Sequence, residues 1–301
     1  MAIGGRSRVV CSDMFNPVTA IQDAVLSRHL PEVSAQRRER KREWFAHCLE
    51  SLHDAELTQE EIDAHLNGMP ARYWDSVDQV ELLWGVETIH KFLREVARAD
   101  SPATMPIIDM RHRPKSGATQ LMLCTWDRQG LLAKVAGCLS AMRINILQAD
   151  VYTRADGVVL DTFRICEPEG SPVSNPSRLQ ELGFLIDGAL SEPPRFASLW
   201  ACSRHKFLSA ASMGPPFVSF DNLSWPDATV LTVEAPDRLG LLYDILSALA
   251  DLRVNICHSV IDTDDELARD IFYVVDQEGR KIVDAAAQQN VRNTITRAVA
   301  S

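Results

Sequence analysis

The spacing of apolar residues predicts a helical region over residues 1–100. Apolar positions there recur every three or four residues, and little of the sequence alternates as a strand would. Thr58 with Glu61, and Ser76 with Gln79, each fit a capping box, in which two side chains satisfy free backbone N–H groups at the start of a helix. We therefore expect one helix to begin after Thr58 and another after Ser76.

The pattern changes after this region. The second of these helices should end near residue 99, and residues 101–118, with three prolines and a glycine, predict a linker. The spacing of apolar residues then predicts strands, with a period of two residues, that alternate with amphipathic helices. The predicted order is βαββα, with strands at 120–126, 144–152 and 158–166 and helices at 130–142 and 177–190.

The same order returns later in the chain as an internal repeat. Residues 127–146 and 237–256 align without a gap at an offset of 110, and nine of the positions are identical. With one residue deleted, the match extends from Asp161 and Phe163 to Asp270 and Phe272. A repeat of this length predicts two copies of one structural unit. The insertion at 191–216, between the copies, is predicted to be a surface loop.

Each copy opens with the motif Asp-Arg-x-Gly-Leu-Leu between a strand and a helix. The glycine permits a tight turn, and the free N–H groups at the helix start can hold a carboxylate. Asp127 or Asp237 beside them could hold an ammonium group, so the pair would suit a free α-amino acid. The alternative is that the aspartate only caps the helix and the glycine only makes the turn.

These motifs, with Arg-x-Asn-Ile at 143–146 and 253–256, resemble the ACT domain, a ferredoxin-like βαββαβ module that binds amino acids and regulates enzymes. The resemblance implies an α+β fold. A helical region at 1–100 and a linker at 101–118 would precede ACT domains at 119–223 and 227–301.

The resemblance also implies the ligand-binding residues. We expect the second copy to bind better, because Pro236 stiffens its approach and Leu239 follows the family pattern. The candidates are Asp127, Arg128, Gly130, Leu131 and Asn145 in the first copy and Asp237, Arg238, Gly240, Leu241 and Asn255 in the second.

A narrower resemblance comes from the segment 218–224 followed by 229–245. It is similar to the junction between the paired ACT domains of the bifunctional uridylyltransferase/uridylyl-removing enzymes, which modify the PII nitrogen-signalling protein. In that family 218–222 would be the last strand of the first ACT domain. The resemblance implies a regulatory portion that senses glutamine, acts with PII and forms a homodimer through its ACT domains. The alternative is a free-standing ACT-repeat protein that binds an amino acid or only dimerises.

Catalytic motifs of that family are not recognisable in the sequence. Its transferase needs a Gly-Ser motif followed by paired aspartates for Mg²⁺, whereas this chain has Gly4, Ser7 and a lone Asp13. The pair His53-Asp54 alone does not supply a phosphohydrolase site. We therefore predict no catalytic or metal-binding residue, and expect Mg²⁺ only in the missing catalytic domains. Whether the chain is an enzyme stays open.

The composition of the chain limits the classes of partner and the cell compartment that we expect. The 301 residues carry a net charge of −10, which disfavours a broad nucleic-acid surface. No apolar run approaches the roughly 20 residues needed to cross a membrane. Seven scattered cysteines without a Cys-x-x-Cys pair disfavour disulfides and zinc, so we expect reduced thiols and a cytoplasmic location.

Overall fold

The computed structural model of the chain describes residues 31–51, 57–98, 106–113, 117–192, 196, 216–264 and 267–300. Residues 31–51 and 57–98 are largely helical, as predicted, whereas residues 1–30 of the predicted helical region lie outside the described residues. The helices are α1 (Pro31–Ser51), α2 (Gln59–Gly68), α3 (Ala71–Ser76) and α4 (Gln79–Arg98).

One of the two predicted capping boxes is confirmed. Thr58 and Glu61 cap α2 reciprocally. The box at Ser76 is wrong, because Ser76 ends α3 and its hydroxyl bonds the Tyr152 hydroxyl. The pair that caps α4 is Asp78 with Glu81, where the Glu81 backbone N–H donates to Asp78 Oδ1 at 2.8 Å.

The two copies of the repeat form two ferredoxin-like units, which confirms the α+β fold class. Their strands and helices match the predicted ones closely. The first unit comprises β1 (Ile107–Arg113), β2 (Ala118–Trp126), α5 (Leu131–Ala141), β3 (Asn145–Thr153), β4 (Val158–Cys166) and α6 (Pro176–Ser191). The second comprises β5 (Phe217–Asp221), β6 (Thr229–Pro236), α7 (Leu241–Asp251), β7 (Asn255–Asp264), β8 (Leu267–Val275) and α8 (Ala285–Val299).

The units share one antiparallel sheet of eight strands in the order β1-β2-β4-β3-β7-β8-β6-β5. They meet at a short central seam, where residues 148–150 of β3 pair with 258–260 of β7. The Asp150 Oδ1 and His258 Nδ1 atoms lie 2.6 Å apart across this seam. The two units therefore already pair with each other within one chain.

Two strands correct the sequence interpretation. Strand β1 lies inside 101–118, the stretch interpreted as a linker, and pairs with β2 along its length. Strand β5, at 217–221, was assigned to the first unit but pairs with β6 of the second. Since β1 occupies the edge of β2 and a short connection joins β5 to β6, neighbours in sequence pair in space. The predicted domain boundaries stay predictions.

The two faces of the sheet are covered differently. Helices α5 to α8 cover one face and bury the apolar residues of both units. Helices α1 to α4 pack on the opposite face of the first unit, around Met122, Tyr152 and Leu160. Helix α4 approaches closely, because a Cβ at Gly85 would lie 2.9 Å from a Leu160 methyl carbon. The N-terminal helices thus pack mainly on the first unit.

The repeat also reproduces unusual backbone conformations. Gly130 and Gly240, which precede α5 and α7, have φ of 73° and 83°. Arg143 and Arg253, just after these helices, have φ of 54° and 53°. The left-handed conformation costs an arginine roughly 1–2 kcal/mol relative to glycine. Both copies retain an arginine at this position.

Two further expectations concern the state of the cysteines and the presence of a membrane-spanning helix. The cysteines of the described part, namely Cys48, Cys124, Cys138, Cys166 and Cys257, are all free thiols. Across the helices that the structure describes, none combines the length and apolar character needed to cross a bilayer.

Candidate functional site

A cleft of about 520 Å³ opens between the two units, where the pairing of β3 and β7 stops. One wall is the turn of the first copy, from Asp127 to Leu131, with Val151 and Thr153 of β3 beside it. The opposite wall is the connection from α7 to β7, residues 253–257. The cleft therefore needs both units to exist.

The first turn presents a helix start to this cleft. Gly130 precedes α5, and no side chain caps the helix there. The first N–H groups of an α-helix lack intrahelical partners and attract anions. Asp127 is exposed beside them. The Gln129 side chain donates to the Ala250 carbonyl oxygen at 3.0 Å and ties the turn to the second unit.

Asp161 on β4 is the most unusual residue of the cleft. It is 1% exposed, and neither of its carboxylate oxygens has a hydrogen-bond partner of normal geometry, although the Tyr152 backbone lies close enough to lower its pKa. Burial raises the pKa of this carboxyl well above its ordinary value, and the charges of Asp127 and Asp150 act in the same direction. The Tyr152 backbone and the Arg72 guanidinium oppose the shift. A buried carboxyl without a partner is costly unless something else binds it.

Sequence reasoning used Asp161 only as a repeat match. The signal that could have identified it is its position on β4, where residues 159, 163 and 165 share its face and are buried and apolar. An acidic residue at a core position of a strand is rarely buried without a partner.

Arg72 of α3 reaches the cleft from the N-terminal helices. Its Nη2 donates to the Val151 carbonyl oxygen, and its guanidinium carbon lies 5.3 Å from the centre of the Tyr152 ring. Its Nη1 is buried and has no hydrogen-bond partner. The cleft thus contains a buried donor and a buried acceptor that are both unsatisfied. Arg72 lies outside the repeat, so the comparison of the two copies gives no signal for it.

The arginines of the motif have a structural task in both copies. Arg128 Nη1 donates to the Leu190 carbonyl oxygen at the end of α6, at 2.8 Å. Arg238 Nη2 donates to the Ala298 carbonyl oxygen of α8 at 3.3 Å. A cation at a helix C-terminus satisfies free carbonyls and favours the helix dipole. Arg128 also lines the cleft.

The predicted site residues separate into two groups. The cleft brings together Asp127, Arg128, Gly130, Leu131 and Asn255. The other five lie elsewhere, and they are Asp237, Arg238, Gly240, Leu241 and Asn145.

The second turn is more covered than the first. Asp237 is half-buried, and burial raises the pKa of its carboxyl. Phe196, from the insertion, packs against Tyr243 of α7 with ring centres 4.9 Å apart. A Cβ added at Gly137 would lie 2.7 Å from the Phe196 ring, so this ring also fills the space over α5. The preference for the second copy stays a prediction.

Candidate catalytic motifs cannot be placed. Gly4, Ser7, Asp13 and the His53-Asp54 pair lie outside the described residues. Within the described ranges, no three His, Cys, Asp or Glu side chains are grouped so that they could hold a metal ion.

Comparisons with known proteins agree with the architecture. A family model described as an ACR9-like, ACT-like domain matches residues 217–301, which begin at β5. The match includes β5 in the second unit, in agreement with its pairing to β6.

Curated relatives are bifunctional uridylyltransferase/uridylyl-removing enzymes. That of Gluconobacter oxydans is 31% identical over 249 residues, which cover 81% of this chain and 25% of the relative. That of Rhodospirillum rubrum is 28% identical over 292 residues, covering 93% and 29%. That of Caulobacter vibrioides is 34% identical over 179 residues, covering 57% and 18%. The resemblance to these enzymes is confirmed. The chain spans about a quarter of the length of the first two.

Proposed function

We propose that the cleft between the units binds a free α-amino acid and that the chain is a regulatory, amino-acid-sensing ACT portion of a uridylyltransferase/uridylyl-removing system. The observation that carries the proposal is Asp161, a buried carboxyl without a partner in a cleft beside an uncapped helix start. A ligand ammonium would satisfy Asp161, and the helix start would attract the ligand carboxylate.

The finer parts of the proposal come from the relatives. Their name states that they transfer and remove uridylyl groups, and the family resemblance makes glutamine the proposed ligand and PII the proposed protein partner. A cytoplasmic location fits a sensor of free amino acids. Mg²⁺ is expected only where catalytic domains are present.

A homodimer is also part of the proposal, and the fold limits how it can form. The seam strands β3 and β7 already pair with each other. A second copy would therefore have to add at the edge strands β1 or β5, or pack on a helical layer.

The test is calorimetry of the full chain with a panel of free L-amino acids, and thermal unfolding with the same panel. We expect L-glutamine to bind and to raise the unfolding temperature, because a ligand that binds only the folded state stabilises it. Glutamate, which is nearly isosteric with glutamine, and asparagine, which is one methylene shorter, serve as controls. If no amino acid binds at millimolar concentration, the proposed function is wrong. If another one binds, only glutamine is wrong.

A further inference from the structure

The cleft has two kinds of unsatisfied buried group, and they come from different parts of the chain. Asp161 belongs to the first unit, and Arg72 belongs to α3 of the N-terminal helices. The two residues do not form an ion pair, although the Arg72 charge lowers the pKa of Asp161. The described cleft therefore contains a carboxyl and a guanidinium that are not paired with each other.

This arrangement matches the two charged ends of an amino acid. Its ammonium group needs an acceptor such as Asp161, and its carboxylate needs a donor such as a guanidinium N–H. Arg72 is oriented for this, since Nη2 is held by the Val151 carbonyl oxygen and the guanidinium lies on the Tyr152 ring. The Nη1 atom that remains has no partner. Little side-chain entropy would be lost when it binds a ligand.

We infer that Arg72, together with the start of α5, binds the carboxylate of the ligand, so that occupancy of the cleft is coupled to the docking of α3 on the sheet. The inference rests on the proposed function, because it assigns a residue and a route of regulation to the same site. Helix α3 has six residues and is held by the buried side chains of Tyr73 and Trp74 and by polar contacts. Among them are the Ser76 hydroxyl at 2.7 Å from the Tyr152 hydroxyl and Lys41, which donates to the Trp74 carbonyl oxygen at 2.9 Å.

The coupling follows from thermodynamic linkage. A ligand that contacts both the sheet and α3 binds tightly only when α3 is docked, and it stabilises the docked helix by the same free energy. The N-terminal helices would then sense the ligand directly. In a longer protein this is the region through which occupancy could reach other domains.

The test compares Arg72→Gln with wild type for two probes, L-glutamine and its α-amide, which lacks the carboxylate charge. If another amino acid of the panel binds wild type more tightly, that amino acid and its amide are used. We expect Arg72→Gln to weaken binding of the amino acid about 10- to 150-fold, the range for a lost charge-assisted hydrogen bond, and to leave the amide nearly unchanged. Arg72→Lys should recover part of the loss.

Two control variants separate this role from general effects of charge and packing. Arg98→Gln removes a guanidinium that pairs with Glu95 within α4 at 3.0 Å, away from both the cleft and α3, and should leave both affinities unchanged. Arg253→Gly removes an arginine from the cleft wall. This variant should weaken binding of the amino acid less than Arg72→Gln does.

A second measurement reports the coupling itself. Amide hydrogen exchange across 71–98 should slow when the amino acid binds wild type, and this protection should be lost in Arg72→Gln at saturating ligand. Two results would overturn the inference and leave the proposed function standing. In the first, Arg72→Gln binds the amino acid as tightly as wild type. In the second, the loss of affinity occurs in Arg253→Gly and not in Arg72→Gln. If wild type binds no amino acid, both are overturned.

Discussion

The first and second turns of the repeat have the same motif and the same backbone, yet different surroundings. Each glycine is left-handed, each arginine reaches the end of a distant helix, and each aspartate precedes them. The first turn faces a cleft, with Asp127 exposed, whereas Asp237 of the second is half-buried. A repeated sequence therefore specifies a repeated turn, and the neighbouring layers decide whether the turn remains accessible.

The source of this difference lies in three positions. Ala133 lines the first cleft, and the matching position of the second copy is Tyr243. Phe196, from the insertion after α6, packs on that tyrosine. Gln129 bonds across the seam, whereas its counterpart Leu239 has no polar side chain to do so. The two turns are thus expected to differ in binding.

The largest expected effect is at the buried aspartates. Asp161→Asn removes the proposed ammonium acceptor and should weaken amino-acid binding about 10- to 150-fold in calorimetry. Asp270→Asn is the matched control, because Asp270 is 2% exposed at the repeat-equivalent position but does not line the cleft. Equal losses in both variants would mean that the aspartates only support the fold.

The pH dependence of binding should show whether Asp161 loses a proton when the amino acid binds. The raised pKa of Asp161 keeps part of it protonated when the cleft is empty, and a ligand ammonium needs it ionised. Binding would then release a proton, so affinity should increase as pH rises from the ordinary aspartate range towards neutrality, by up to about tenfold per pH unit. Calorimetry in buffers of different ionisation enthalpy measures the proton. In Asp161→Asn this dependence should vanish, and its persistence would assign the proton elsewhere.

In the protein without ligand, the contribution of Asp161 to stability changes with pH in the direction opposite to its contribution to binding. A carboxyl whose pKa is raised on folding keeps its proton longer in the folded state, so Asp161 makes the free energy of unfolding decrease as pH rises above the unfolded aspartate value. Urea unfolding of wild type and Asp161→Asn at two pH values checks this. A wild-type stability that increases over that interval, relative to the variant, would contradict the assignment.

The smallest expected effect is at the turn aspartates. Asp127→Ala should weaken amino-acid binding by up to about fivefold, because an exposed charge is screened by water. Asp237→Ala should leave it unchanged, since Asp237 does not line the cleft. A larger loss in Asp237→Ala than in Asp127→Ala would restore the second copy as the binding site. No change in either variant would leave both residues with only a role in the turn.

Much of the secondary structure was predictable, and the reason is local. The strand 158–166 was predicted to the residue, and α5 and α6 to within one residue at either end. The spacing of hydrophobic residues and the positions of turn glycines depend only on the sequence of a single helix, strand or turn. The errors at β1 and β5 arose because pairing depends on which sheet edge is free, and a prediction along the chain does not contain that information.

The candidate site divides in the same way. The repeat, the two glycine turns and the residues beside them follow from the sequence, since these depend on local backbone chemistry. Packing in three dimensions joins the units through β3 and β7, leaves a cleft at one turn, and brings Asp161 and Arg72 to the same cavity. Residues 89 positions apart in the chain meet there because packing, and not sequence distance, brings buried groups together.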